Sequence, residues 1–186
     1  MTIGFALTGS FCTYSQIFPV MEELAKRHKL IPIFSFNAAS TDSRFGKAED
    51  FLHRAAEICS FAPMQTIPAV EPIGPKKLLD ALIIAPCTGN TLSKLAHSVA
   101  DTPVTMAAKS HLRNGRPVIV AVSTNDGLAG ACENIGRLLM RKHYYFVPFG
   151  QDDPFGKPSS LVADFSRIPQ TLDAALEGRQ IQPLLL

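Results

Sequence analysis

The run Ala85-Pro86-Cys87-Thr88-Gly89-Asn90-Thr91 ends the apolar stretch Leu82-Ile83-Ile84 and leads into a helix expected to begin near Leu92. Glycine and small hydroxyls at a strand-to-helix junction gather unpaired main-chain N–H groups at the positive end of a helix dipole, which suits a phosphate or an electron-rich ring. Alone, such a run is equally an ordinary turn. Three further segments share its character: Thr8-Gly9-Ser10-Phe11-Cys12-Thr13, then Ser35 with Ser40-Thr41-Asp42-Ser43-Arg44-Phe45-Gly46, and Ser123-Thr124-Asn125-Asp126-Gly127. The first lacks the G-x-G-x-x-G spacing of a dinucleotide site, so a mononucleotide fits it better. The candidate cofactor-binding residues are therefore Gly9, Ser10, Ser35, Cys87, Thr88, Gly89, Asn90, Thr91, Ser123 and Thr124.

Charged and nucleophilic residues near these loops are the next candidates. Arg44, Lys76, Lys77 and Lys157 lie in loops and could bind a carboxylate, for which Arg forks and Lys charges in a dry site are the natural partners. Arg44 ranks first, standing between Asp42 and Gly46. Cys12 and Cys87 are expected to face the same edge, where a helix N-terminus can lower a thiol pKa, although small cysteines more often only fill a core. Asp152 and Asp153 precede Pro154 and read either as general bases or as a turn. His53 and His97 fall in expected helices, and His111 and His143 near helix ends, where a charged imidazole would favour the dipole. None of the four is assigned to catalysis.

Loops of this kind need a scaffold. Apolar runs at Ile3 to Leu7, Leu30 to Phe34, Ala81 to Ala85, Val118 to Val122 and Tyr145 to Phe149 alternate with helically spaced segments such as Phe51-Leu52-Ala55-Ala56 and Ile135-Leu138-Leu139. That alternation predicts an α/β fold, a Rossmann-type open and mostly parallel sheet with helices on both faces. Ligands in such sheets bind outside the carboxyl ends of the strands. Prolines at 63, 68, 72 and 75, and again at 148, 154 and 158, mark two expected loops. The apolar end Ile181-Gln182-Pro183-Leu184-Leu185-Leu186 is expected to pack on a neighbouring subunit or to fray.

With 186 residues, of which 46% are hydrophobic, the chain suits one domain spanning 1–186. A formal charge of +2 without a basic block speaks against nucleic acid and membrane surfaces as partners. No apolar run reaches the roughly 20 residues of a membrane span, and no signal peptide is evident, so a cytoplasmic location is expected. Cysteines at 12, 59, 87 and 132 show no C-x-x-C pairing, which favours free thiols over bridges or a metal site.

Taken in order, these loops resemble the homo-oligomeric flavin-containing cysteine decarboxylase superfamily. Its P-A-S-A-N-T motif is similar to Pro86-Cys87-Thr88-Gly89-Asn90-Thr91, and its Lys-Leu-Ala-x-Gly-x-Ala-Asp to Lys94-Leu95-Ala96-His97-Ser98-Val99-Ala100-Asp101. Its P-x-M-N element corresponds to Val122-Ser123-Thr124-Asn125. The resemblance implies a flavodoxin-like fold, FMN, a homo-oligomer, and roles at the reacting ring for Asn90 and Asn125, with Arg44 the further catalytic candidate. Pro72 stands where the decarboxylases carry their catalytic histidine, and no cysteine occupies the late Cys-Gly position, so cysteine decarboxylation is disfavoured.

One branch of the superfamily, from spore-forming bacteria, is similar at Thr41-Asp42-Ser43-Arg44-Phe45-Gly46, Glu71-Pro72-Ile73-Gly74-Pro75-Lys76 and Tyr144 to Pro154 as well. It implies work beside a different polypeptide that binds nicotinamide, NAD(P), and the oxidation of a small dihydropyridine dicarboxylate to its aromatic acid. A non-catalytic role ordering that partner is the alternative.

Overall fold

Long apolar runs read as strands buried on both sides. β1 (Thr2–Leu7), β2 (Lys29–Phe34), β3 (Ala81–Cys87) and β4 (Val118–Thr124) are buried at nearly every position, as a parallel sheet covered on both faces requires. In the computed structural model, which describes residues 1–186, they lie parallel in the order β2-β1-β3-β4, with β5 (Tyr144–Phe146) pairing in parallel with β4. This is the flavodoxin order, and strand order reverses between β1 and β3. Ile3 sits opposite Leu30 on one side and Ala81 on the other. The β3–β4 register shifts between Ile84 and Cys87. That irregularity accommodates Pro86, which has no N–H to give a central ladder.

Helices α1 (Tyr14–Ala25), α2 (Phe36–Ser40) and α3 (Ala48–Cys59) follow the first two strands, and α4 (Ile67–Val70) precedes β3. Helices α5 (Gly89–Ala96) and α6 (Pro103–Leu112) link β3 to β4, and α7 (Cys132–Leu139) links β4 to β5. Helix α6 begins with a capping box, the Thr102 and Thr105 side chains each satisfying the other's backbone N–H, and with Pro103 at its first position. It packs along β2, β3 and β4. The last helix, α8 (Ile168–Leu176), lies against α1, β3 and β4. One core of 48 buried residues runs through the sheet and both helical layers.

Several expectations are corrected. The proline-rich stretch before β3 is not only loop: Thr66 caps α4, and Glu71–Ile73 form a 3-10 turn. The run Tyr145 to Phe149 is two strands, because Pro148 breaks it into β5 and β6 (Phe149–Gly150). After the turn at 151–160 the chain returns as β7 (Leu161–Ala163), which pairs antiparallel with both β6 and the end of β4. The C-terminal residues are tied by their backbone to their own sheet, while the Leu185 and Leu186 side chains stay exposed. Leu184 accepts the Phe149 amide and Leu186 donates to the Phe149 carbonyl, while the Gln180 amide bridges the N–H and C=O of Phe146 at 2.7 Å each.

Candidate functional site: a hydroxyl groove at the reversal of strand order

Three strand ends meet where the order reverses. The Thr8 hydroxyl, leaving β1, donates to the Pro86 carbonyl at 2.6 Å and accepts from the Thr88 amide at 3.2 Å, which ties the first loop to the end of β3. Buried Tyr14 donates its hydroxyl to the Thr8 carbonyl at 2.9 Å, and the Ser10 and Ser123 hydroxyls share a 2.7 Å hydrogen bond between β1 and β4 loops. The result is a groove of about 480 Å3. Gly9, Ser10, Cys12, Thr13, Gln16, Thr88, Ser123, Thr124 and Asn125 line it from the strand ends and the start of α1, and Asp152, Lys157, Ser160 and Val162 from the β6–β7 return.

Helix α5 starts at this groove. Thr88 is its N-cap, accepting the Thr91 amide at 3.3 Å, and the two hydroxyls lie 3.1 Å apart. The helix therefore begins at Gly89, three residues before the expected Leu92, so Gly89, Asn90 and Thr91 belong to its first turn. Glycine leaves room there: an added Cβ would stand 2.6 Å from Thr124 Oγ1 and 2.8 Å from Asp126 Oδ1, so those side chains would have to shift. Thr124 in turn donates its hydroxyl to the Asp126 carboxylate.

Of the expected cofactor residues, the structure brings together Gly9, Ser10, Thr88, Ser123 and Thr124, with Asn125 at their rim. It does not bring the others to the lining. Ser35 caps α2, accepting the Ala38 amide at 3.3 Å. Asn90 is exposed and Thr91 buried on α5. Arg44 is exposed and stacks on the Phe45 ring, 4.8 Å from its centroid. Cys87 is corrected outright: the last residue of β3, it is fully buried, and burial pushes its thiol pKa up rather than letting a helix dipole lower it. Lys76 and Lys77 precede β3, at the opposite sheet edge.

His111 is also corrected. It is fully buried, its Nε2 lies 3.1 Å from the Pro117 carbonyl, and desolvation pushes its pKa down to about 4, so it is a neutral core group and not a charge on a helix dipole. His97 is the residue after α5, outside the helix expected to hold it. No cluster of three or more His, Cys, Asp or Glu is arranged to hold a metal ion.

The two acids divide. Asp153 accepts the Gly156 amide at 2.8 Å and makes a turn. Asp152 pairs with Lys157 at 3.2 Å, and the neighbouring Ser160 hydroxyl, then Lys157, hold its carboxyl below the usual carboxylate range. Sequence reasoning placed Thr13 in the first hydroxyl loop without singling it out, and missed Gln16, Ser160 and Val162. Gln16 lies in the first turn of an amphipathic helix, and the last two on or beside a strand of three residues, too short to show a period.

A hydroxyl groove at the reversal point of a 2-1-3-4-5 sheet marks a flavodoxin-like α/β protein, and the chain belongs to the Flavoprotein family, whose model matches residues 1–144. Over 185 residues it is 46% identical to the B subunit of dipicolinate synthase from Bacillus subtilis (strain 168), covering 99% of this chain and 92% of that relative. It is similar throughout to the crystal structure of the same subunit from Bacillus halodurans, with a TM-score of 0.91 and 45% identity over 100% of this chain and 95% of that one. The FMN complex of Burkholderia xenovorans DmrB, a cubic cage for redox transfer, shares the fold alone, with a TM-score of 0.69 and 19% identity over 95% of both chains.

Proposed function

We propose that this chain binds FMN and acts with the A subunit of dipicolinate synthase, a nicotinamide-binding partner, in oxidising dihydrodipicolinate to dipicolinate during sporulation, in the mother-cell cytoplasm. Its likeness to the B subunit of that enzyme along nearly the whole chain supports the partner and the reaction. The groove supports the cofactor, and one observation carries it: hydroxyls from three strand ends are locked together by hydrogen bonds at the reversal of strand order. Such donors suit a phosphate and the polar edge of an isoalloxazine ring. Ser10, Thr88, Ser123 and Thr124, with the amides around Gly9, would hold FMN.

Bound flavin would supply a two-electron acceptor. This chain's residues bind and orient. Lys157 attracts one substrate carboxylate, Asp152 holds Lys157 at the groove mouth, and Asn125 orients the reacting edge. Asn90 and Arg44, both exposed and outside the groove lining, serve where a second copy closes over the loop edge, in a homo-oligomer with sites between protomers.

Incubation with FMN followed by gel filtration tests the cofactor. Wild-type protein should keep the flavin absorption bands, and Ser10→Leu or Ser123→Leu should lose them. A wild-type chain that stays colourless while still supporting dipicolinate formation with its nicotinamide-binding partner overturns the flavin reading and leaves a scaffold that orders the partner.

A further inference from the structure

A second cavity opens at the opposite edge of the sheet. Tyr144 begins β5 and pairs with Val118 at the start of β4, so this cavity lies at the amino ends of the strands and the hydroxyl groove at the carboxyl ends. It measures about 300 Å3, the lower end of the range for small-ligand sites.

Its chemistry differs from that of the groove. Lys94, Lys109 and Arg141 line it and no acidic side chain does, while Leu95, Val99, Leu112 and the Tyr144 ring make its apolar walls. Arg141 is pinned in place, donating to the Leu95 carbonyl at 3.1 Å and the Ala96 carbonyl at 2.6 Å, where it caps the end of α5. Lys94 is held by Asp101 at 2.8 and 2.9 Å, outside the lining. Lys109 is exposed, and its ammonium makes no ion pair or hydrogen bond within the chain. Tyr144 is only 8% exposed, and its hydroxyl, which bonds to no other group of the chain, is open to solvent on the cavity side. Burial pushes its pKa up to about 12, so it remains a donor.

A free ammonium, a fixed guanidinium and an idle O–H around an apolar wall match one kind of guest. We infer that this cavity binds a small aromatic carboxylate, its carboxylate between Lys109 and the Tyr144 hydroxyl and its ring against Leu95, Val99 and Leu112. The site is separate from the proposed flavin groove and does not rest on that reading.

Calorimetric titration of the full chain with benzoate tests it, with benzamide as the neutral isostere. Benzoate should bind at least tenfold tighter than benzamide. Lys109→Met should weaken benzoate about tenfold and Tyr144→Phe severalfold, each with an unchanged melting temperature, and Lys26→Met, an exposed lysine outside both sites, should change nothing. Equal binding of benzoate and benzamide, no saturable binding at millimolar benzoate, or sensitivity to Lys157→Met and not to Lys109→Met overturns the inference. So does a Lys109→Met variant that loses self-association while keeping its benzoate affinity, which assigns the cavity to contact between copies.

Discussion

The floor of the groove and the return segment 151–160 that borders it are built on different principles. On the floor, Thr8, Thr88, Ser10 and Ser123 are joined by neutral hydrogen bonds between residues far apart in the chain, rooted in buried strands. In the return, Asp152, Asp153, Gly156 and Lys157 bond almost wholly to one another within six residues, and Phe155 at its tip is fully exposed. The difference teaches where shape is stored. The floor cannot move without disturbing the sheet, while the return can re-pair its charges and leave the core untouched.

Acid is the harshest way to separate them. Neutral His111, buried beside the chain entering β4, favours the folded state fully above its ordinary pKa of 6.5, and that contribution disappears as pH falls from 6.5 to about 4. The loss amounts to on the order of 3 kcal/mol. Asp152 is held below the ordinary carboxylate range, so the Asp152–Lys157 pair resists acid better than an unpaired carboxylate would. Denaturant melts of wild type and His111→Gln between pH 7 and 4 should show a slope that the variant reduces. An equal slope in both would place the acid sensitivity elsewhere.

Thr8→Val comes next. Valine keeps the shape but strands the Pro86 carbonyl and the Thr88 amide, an expected loss of about 2 kcal/mol in urea denaturation together with retained flavin. Thr88→Ala removes the cap of α5 and should lower stability by about 1 kcal/mol, with weaker FMN retention in the same gel-filtration assay. Lys157→Met should have the smallest effect on folding, within about 0.5 kcal/mol, because the pair is solvent-exposed. It should nevertheless raise the KM for the dicarboxylate about tenfold when dipicolinate formation is measured with the nicotinamide-binding partner present. A destabilisation as large as that of Thr8→Val would erase the contrast between floor and return.

What could be read from residues alone follows from burial. Strands covered on both faces must be apolar throughout, so β1 to β4 and their alternation with helices stood out, and the loops after β1, β3 and β4 followed from that order. Amphipathic helices with polar caps were nearly as plain, although a cap such as Thr88 looks like a loop residue until its side chain is seen to accept the Thr91 amide. Strands of two or three residues, as in β6 and β7, carry no period, so the return that completes the groove stayed hidden.

Sequence by itself thus determined the class of fold, the edge that carries the site, and the hydroxyl chemistry of that edge, because local composition reflects burial and turn geometry. Only the tertiary structure decided which side chains share the groove. Cys87 and Thr88 are neighbours in the chain, yet one faces the core and the other the groove. Asp152, Lys157 and Ser160 reach Ser123 and Thr124 only because β7 folds back on β4. Direction and long-range pairing belong to the packed chain, where each side chain's surroundings come from residues tens of positions away.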